Sequence, residues 1–83
     1  MSRREKLINK ALRDPRSLSF VELCLLSESF GFQKRQGKGS HVRYVHPEFR
    51  ITTNFQPGNN GEAKAYQVRQ FLAILRSNGL LSE

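Results

Sequence analysis

The apolar positions change their period along the chain, and each change marks an element. Between Arg3 and Arg13, Leu7, Ile8, Ala11 and Leu12 recur at helical spacing among Arg3, Arg4, Lys6, Lys10 and Arg13. That pattern predicts a short helix, closed by Asp14-Pro15, because proline disfavours the helical region for the residue before it. A second helix is marked at its start by Ser19 and Glu22, whose S-x-x-E spacing makes a reciprocal capping box, with Leu18 and Leu23 at the positions of a hydrophobic staple. Leu23, Leu26 and Phe30 then form one apolar stripe, with Cys24 beside it as a small apolar residue. Gly31 is placed to end the helix in a left-handed conformation.

After Gly31 the period becomes two. Phe32 to Gln36 reads as a short polar strand, followed by the turn GKGS at Gly37–Ser40. Val42, Tyr44 and His46 then alternate with His41, Arg43 and Val45. Pro47-Glu48 makes a tight connection, after which Phe49, Ile51, Thr53 and Phe55 alternate with Arg50, Thr52 and Asn54. QPGNNGE is a loop, and Ala63–Ser77 a closing helix with Val68, Phe71, Leu72 and Leu75 inward, Arg76 in its last turn and Gly79 as its stop. Three strands in succession, flanked by amphipathic helices, predict an α+β domain of two layers: an antiparallel meander with helices over one face. The expected division is an accessory N-terminal helix at residues 1–16 and a single domain at 17–83.

The 83 residues suffice for one modest core, and 37% apolar with 25% charged residues suits a folded chain. No apolar run approaches a membrane span, and the basic N-terminus lacks the apolar segment of a secretion signal. The single Cys24 excludes an internal disulfide, so the cytoplasm is the expected compartment. Charge changes the picture most. Fourteen Lys and Arg against seven Asp and Glu give +7, with an isoelectric point near 10.4. Such an excess favours a polyanionic partner, since each neutralised phosphate releases counterions, although solubility alone also accounts for it.

Strand parity directs attention to His41. If Val42 and Tyr44 face the helices, His41, Arg43 and Val45 face solvent, with Arg50 or Thr52 expected beside them on the next strand. Lys34, Arg35 and Lys38 approach from the preceding strand and turn. From Lys34 to Arg50 there are five Lys or Arg and one acid, Glu48. RNA carries its own nucleophile, the 2′-hydroxyl. A general base and cations that stabilise the phosphorane are enough to cleave it without metal or cofactor. Histidine, with an ordinary pKa of about 6.5, suits that base. Gly37 and Gly39 allow backbone amides to approach a phosphate. A surface histidine among lysines is also an ordinary feature of RNA-binding and other basic domains, so both readings stand on the residues alone. His46 falls on the core side, and two histidines on opposite faces cannot build a zinc shell.

Several short motifs bear a family likeness. Gly31-Phe32, Arg35, Gly39-Ser40-His41, Tyr44 and His46-Pro47 resemble, in order and spacing, the HicA family of bacterial type II toxins, as does AKAYQVRQFLAIL in the closing helix. The likeness spans about Leu18 to Leu80. It implies a fold like a double-stranded-RNA-binding domain and an mRNA interferase acting through the histidine of the G-S-H motif, His41. It also implies neutralisation by a HicB-type antitoxin. On this reading Lys38 and Arg43 neutralise phosphate, Gly39 and Ser40 position it, and Lys34, Arg35 and Arg50 extend the track. Lys64 adds charge from the loop ahead of the last helix. The chain departs from the pattern at Gln56-Pro57, where compact members commonly carry a proline-flanked histidine. Glutamine hydrogen-bonds but does not shuttle protons.

Overall fold

The computed structural model describes residues 2–38 and 41–81. α1, Arg3–Arg13, begins at Ser2, whose hydroxyl accepts from the Glu5 amide at 3.1 Å, and ends at Asp14. The Asp14 carboxylate accepts from the Arg16 amide at 3.0 Å and starts a 3₁₀ turn at Pro15–Ser17. That amide and the Arg16 guanidinium hold the Asp14 carboxyl below its ordinary range. α2, Phe20–Ser29, carries the expected capping box: Glu22 N–H donates to Ser19 Oγ at 3.0 Å and Ser19 N–H to Glu22 Oε1 at 2.9 Å. Lys10 Nζ donates to both oxygens of the same carboxylate, at 3.0 and 3.1 Å, tying α1 to the start of α2. The Ser19 amide first, and Lys10 after it, lower the Glu22 pKa against the desolvation that opposes them.

α1 is docked. Leu7 and Ala11 belong to the core, and the Arg4 guanidinium lies 4.0 Å from the centre of the Phe30 ring. Burying one leucine contributes about 1.5–3 kcal/mol, and an exposed cation over a ring adds about 0.5–1.

α2 ends at Gly31 with φ 95°, where the Gly31 amide bonds Glu28 O and the Phe32 amide bonds Ser27 O. The chain then runs into an antiparallel sheet ordered β1–β2–β3: Gln33–Lys38, His41–His46 and Ile51–Phe55. The first strand reaches Lys38, past the expected end at Gln36, because Gly37 and Lys38 pair with Val42 and His41. The register slips at Arg35: Lys34 faces Tyr44 and Gln36 faces Arg43, so Arg35 is the extra residue of a bulge.

The second correction lies at the β2–β3 connection. It occupies residues 47–50, not Pro47-Glu48 alone, with Arg50 in the left-handed region at φ 57° and its amide bonded to His46 O at 2.8 Å. Phe49 therefore belongs to the turn, and β3 starts at Ile51. α3, Ala65–Ser77, likewise starts two residues later than expected. The Ala63 amide is engaged by Leu18 O at 3.0 Å, and Ala63 bridges to Pro57, which keeps it extended.

α2 and α3 cover one face of the sheet. Phe71 of α3 is the centre of the core, with ring centroids 5.3 Å from Phe32, 5.7 Å from Phe55 and 6.5 Å from Phe30. The stripe Val68, Phe71, Leu72 and Leu75 is buried as the sequence predicts, and so is Leu23, Leu26 and Phe30. Helix, three-stranded antiparallel sheet and helix, with an added helix in front, make an α+β fold like that of a double-stranded-RNA-binding domain. None of the described helices is long and apolar enough to cross a membrane.

Candidate active site and nucleic-acid interface

β2 alternates as the sequence requires. Val42, Tyr44 and His46 are buried, while His41 and Arg43 are exposed and Val45 is half-buried. His41 is the first residue of the strand and faces Lys38 across the β1 ladder. On its other side, Arg43 stands opposite Asn54 and Val45 opposite Thr52. His41, Arg43, Asn54 and Thr52 thus share the open face. Asn54 joins it through the register, which is offset from a two-residue connection by one pair on each strand. Only the length of the turn reveals that offset.

The other expected residues spread around this face. Lys34 faces buried Tyr44, so it lies at the helix side of the edge strand, where its charge is felt by Cys24. Arg35 is exposed at the bulge. Arg50, expected on the strand beside His41, sits in the turn next to the His46–Ile51 pair. Five strand steps separate that end from His41, roughly 17 Å. Lys64 is the N-cap of α3, and with the Pro57–Ala63 bridge it lies at the His41 end of the sheet, where β3 leaves the Val42–Phe55 pair. Gln56 follows that pair directly, its amide held by Gln67 Oε1 at 3.0 Å. Gly39 and Ser40 lie outside the described residues, and of Lys38 only the strand backbone is described.

The core side of the same strand is chemically closed. Tyr44 Oη donates to Glu28 Oε2 at 2.6 Å, and burial followed by this bond drives its phenol far above the ordinary range. Burial also pushes the Cys24 thiol up, which removes thiolate character. His46 is bonded on both ring nitrogens. Nε2 lies 3.0 Å from Phe30 O, and Nδ1 accepts from the Glu48 and Phe49 amides at 3.3 Å. These partners assign a neutral ring protonated on Nε2, clasping the end of α2 to the β2–β3 turn. Gly31 is part of the clasp: a Cβ there would stand 3.0 Å from His46 Nε2. The Gly-Phe and His-Pro motifs therefore join in one structural lock, with Phe32 edge-on to the imidazole at 5.0 Å. Among the described residues no three His, Cys, Asp or Glu side chains come together as a metal site would require.

An exposed imidazole and guanidinium on the bare side of a three-stranded sheet, with more cations at its edge, give this α+β domain a basic open face. The sequence agrees in a more particular way: residues 21–80 match the family described as the HicA toxin of bacterial toxin–antitoxin systems, and the chain belongs to that family. No curated protein and no solved structure compared with the chain matches it. The matched span covers α2, the sheet and α3, and leaves α1 outside.

Proposed function

We propose that the protein is a metal-independent endoribonuclease, an mRNA interferase, whose general acid/base is His41. The observation that carries this reading is the pairing of an exposed imidazole with Arg43 on the open face of β2, opposite Lys38, in a chain of net charge +7. His41 takes the proton of a ribose 2′-hydroxyl, and the 2′-oxygen attacks the adjacent phosphorus. The bond from phosphorus to the 5′-oxygen breaks, that oxygen takes a proton from solvent water as it leaves, and His41 returns its own proton to the resulting hydroxide. Lys38 and Arg43 neutralise the phosphorane, Gly39 and Ser40 hold the phosphate at the strand mouth, and Lys64 adds charge from the loop before α3. Arg35, Lys34 and Arg50, being spread over the bulge, the edge and the far turn, serve as outlying backbone contacts. Residues 17–83 carry this activity and residues 1–16 are accessory. The site is that of a cytoplasmic toxin held in check by a HicB-type antitoxin.

The test is incubation of purified protein with a defined RNA in EDTA, with identification of the new ends. The reading requires 2′,3′-cyclic phosphate and 5′-hydroxyl termini, and their loss with His41→Ala. Cleavage by the variant at the rate of the unmodified protein would remove His41 from the mechanism. RNA retention without cleavage by either would make the domain a binding module.

A further inference from the structure

The two edges of the sheet are built differently. Along β1 the edge is broken by the bulge at Arg35 and carries Lys34, Arg35 and Lys38. Bulges and edge lysines are how soluble proteins keep a strand from pairing with another chain. β3 has none of these devices. Its sequence, Ile-Thr-Thr-Asn-Phe, is uncharged and free of proline, its five residues pair with β2 in unbroken register, and no strand among the described residues pairs with its outer edge. Beside that edge runs a groove of about 480 Å³, lined by Thr52, Asn54, Tyr66, Gln70, Ala73 and Ile74 among other uncharged residues. Tyr66 is 51% exposed there, an amphipathic ring of the type that anchors protein interfaces.

We propose that the outer edge of β3, with Tyr66 and Ile74 of α3 beside it, docks an extended segment of the antitoxin, which adds to the sheet as a fourth strand. The inference rests on the toxin reading above. The chemistry selects the occupant. An unpaired strand edge offers a row of amides and carbonyls, which only another extended backbone satisfies in register. The lining carries no cation, so it gives a polyanion nothing to bind, although the chain is strongly basic elsewhere. A second copy would bring two chains of +7 together. An added strand also bears on the site. Its alternate side chains fall on the face shared by Thr52, Asn54, Arg43 and His41, roughly 10 Å from β2 at two strand spacings. One segment thus holds the toxin by its edge and lays side chains across its RNA face.

Amide hydrogen exchange on the full chain, free and in complex with its purified cognate antitoxin, is the direct measurement. Outward-pointing amides of Ile51–Phe55 should slow at least tenfold in the complex. Tyr66→Glu with Ala73→Glu should weaken the complex at least tenfold, while RNA binding by the free variant stays unchanged. A complex in which β3 exchanges as fast as in the free chain overturns this inference and leaves the ribonuclease reading intact. Protection of β3 in the free chain, with sedimentation as a dimer, makes a second copy the occupant and overturns it equally. Failure of any complex to form removes the antitoxin reading and this inference together.

Discussion

His41 and His46 stand at opposite ends of one six-residue strand, and almost everything about them differs. His41 is exposed beside Arg43 and opposite Lys38. His46 is 6% exposed, with both ring nitrogens engaged by backbone. Five positions along a strand reverse the face, so one ring is left open to solvent and the other is spent on the fold. Chemistry needs an imidazole with lone pair and proton free to exchange; architecture needs one with neither.

The contrast breaks most sharply if each is replaced by alanine. His41→Ala should lower RNA cleavage at least about 100-fold, the lower end of what a positioned acid/base supplies. Its thermal midpoint should stay that of the unmodified protein, since exposed substitutions cost within about 0.5 kcal/mol. His46→Ala should do the reverse. The lost packing, the orphaned Phe30 carbonyl and two unpaired amides cost about 3–4 kcal/mol in chemical denaturation, with cleavage per folded molecule retained. Equal loss of cleavage from both variants, at equal stability, would erase the distinction.

Gly31→Ala probes the same clasp from the other side. A left-handed backbone and a Cβ against the His46 ring should cost about 2 kcal/mol, again without touching His41. The smallest effect concerns the α1–α2 junction. The folded pKa of Glu22 is lowered, so its contribution is complete above the ordinary value of 4.5 and fades as pH falls through the lower folded value. Glu22→Gln should therefore reduce stability at neutral pH and flatten its decline in acid, as followed by urea midpoints across that range.

The edges of the sheet repeat the lesson in backbone. β1 and β3 are both short, yet one is bulged and cationic and the other smooth and neutral. The difference in charge is written in the residues themselves, whereas the bulge is pairing geometry, of which a run of residues shows little.

Much was legible before any coordinates. Ser19 and Glu22 name their own hydrogen bonds because capping is local, completed within four residues. Leu23, Leu26 and Phe30 name a face because 3.6-residue periodicity is a property of one helix. The parity that exposes His41 and buries Tyr44 is equally local, and it holds whatever the length of the turn that follows. Register depends on that length. Reading the connection as Pro47-Glu48 starts β3 at Phe49 and sets Thr52 opposite Arg43, whereas the four-residue turn closed by Arg50 puts Asn54 there.

By itself the sequence determined the order of helices and strands, which of their positions face inward, the capping bonds that open α2, and that the whole is cationic. These follow from period, propensity and charge, each summed over neighbours along the chain. Only the tertiary structure decided that Asn54 joins Arg43, that Arg50 sits far from His41, that Gly31 makes room for His46 and that β3 keeps an open edge. Such facts depend on how distant segments meet, which is fixed by turn geometry and packing in three dimensions.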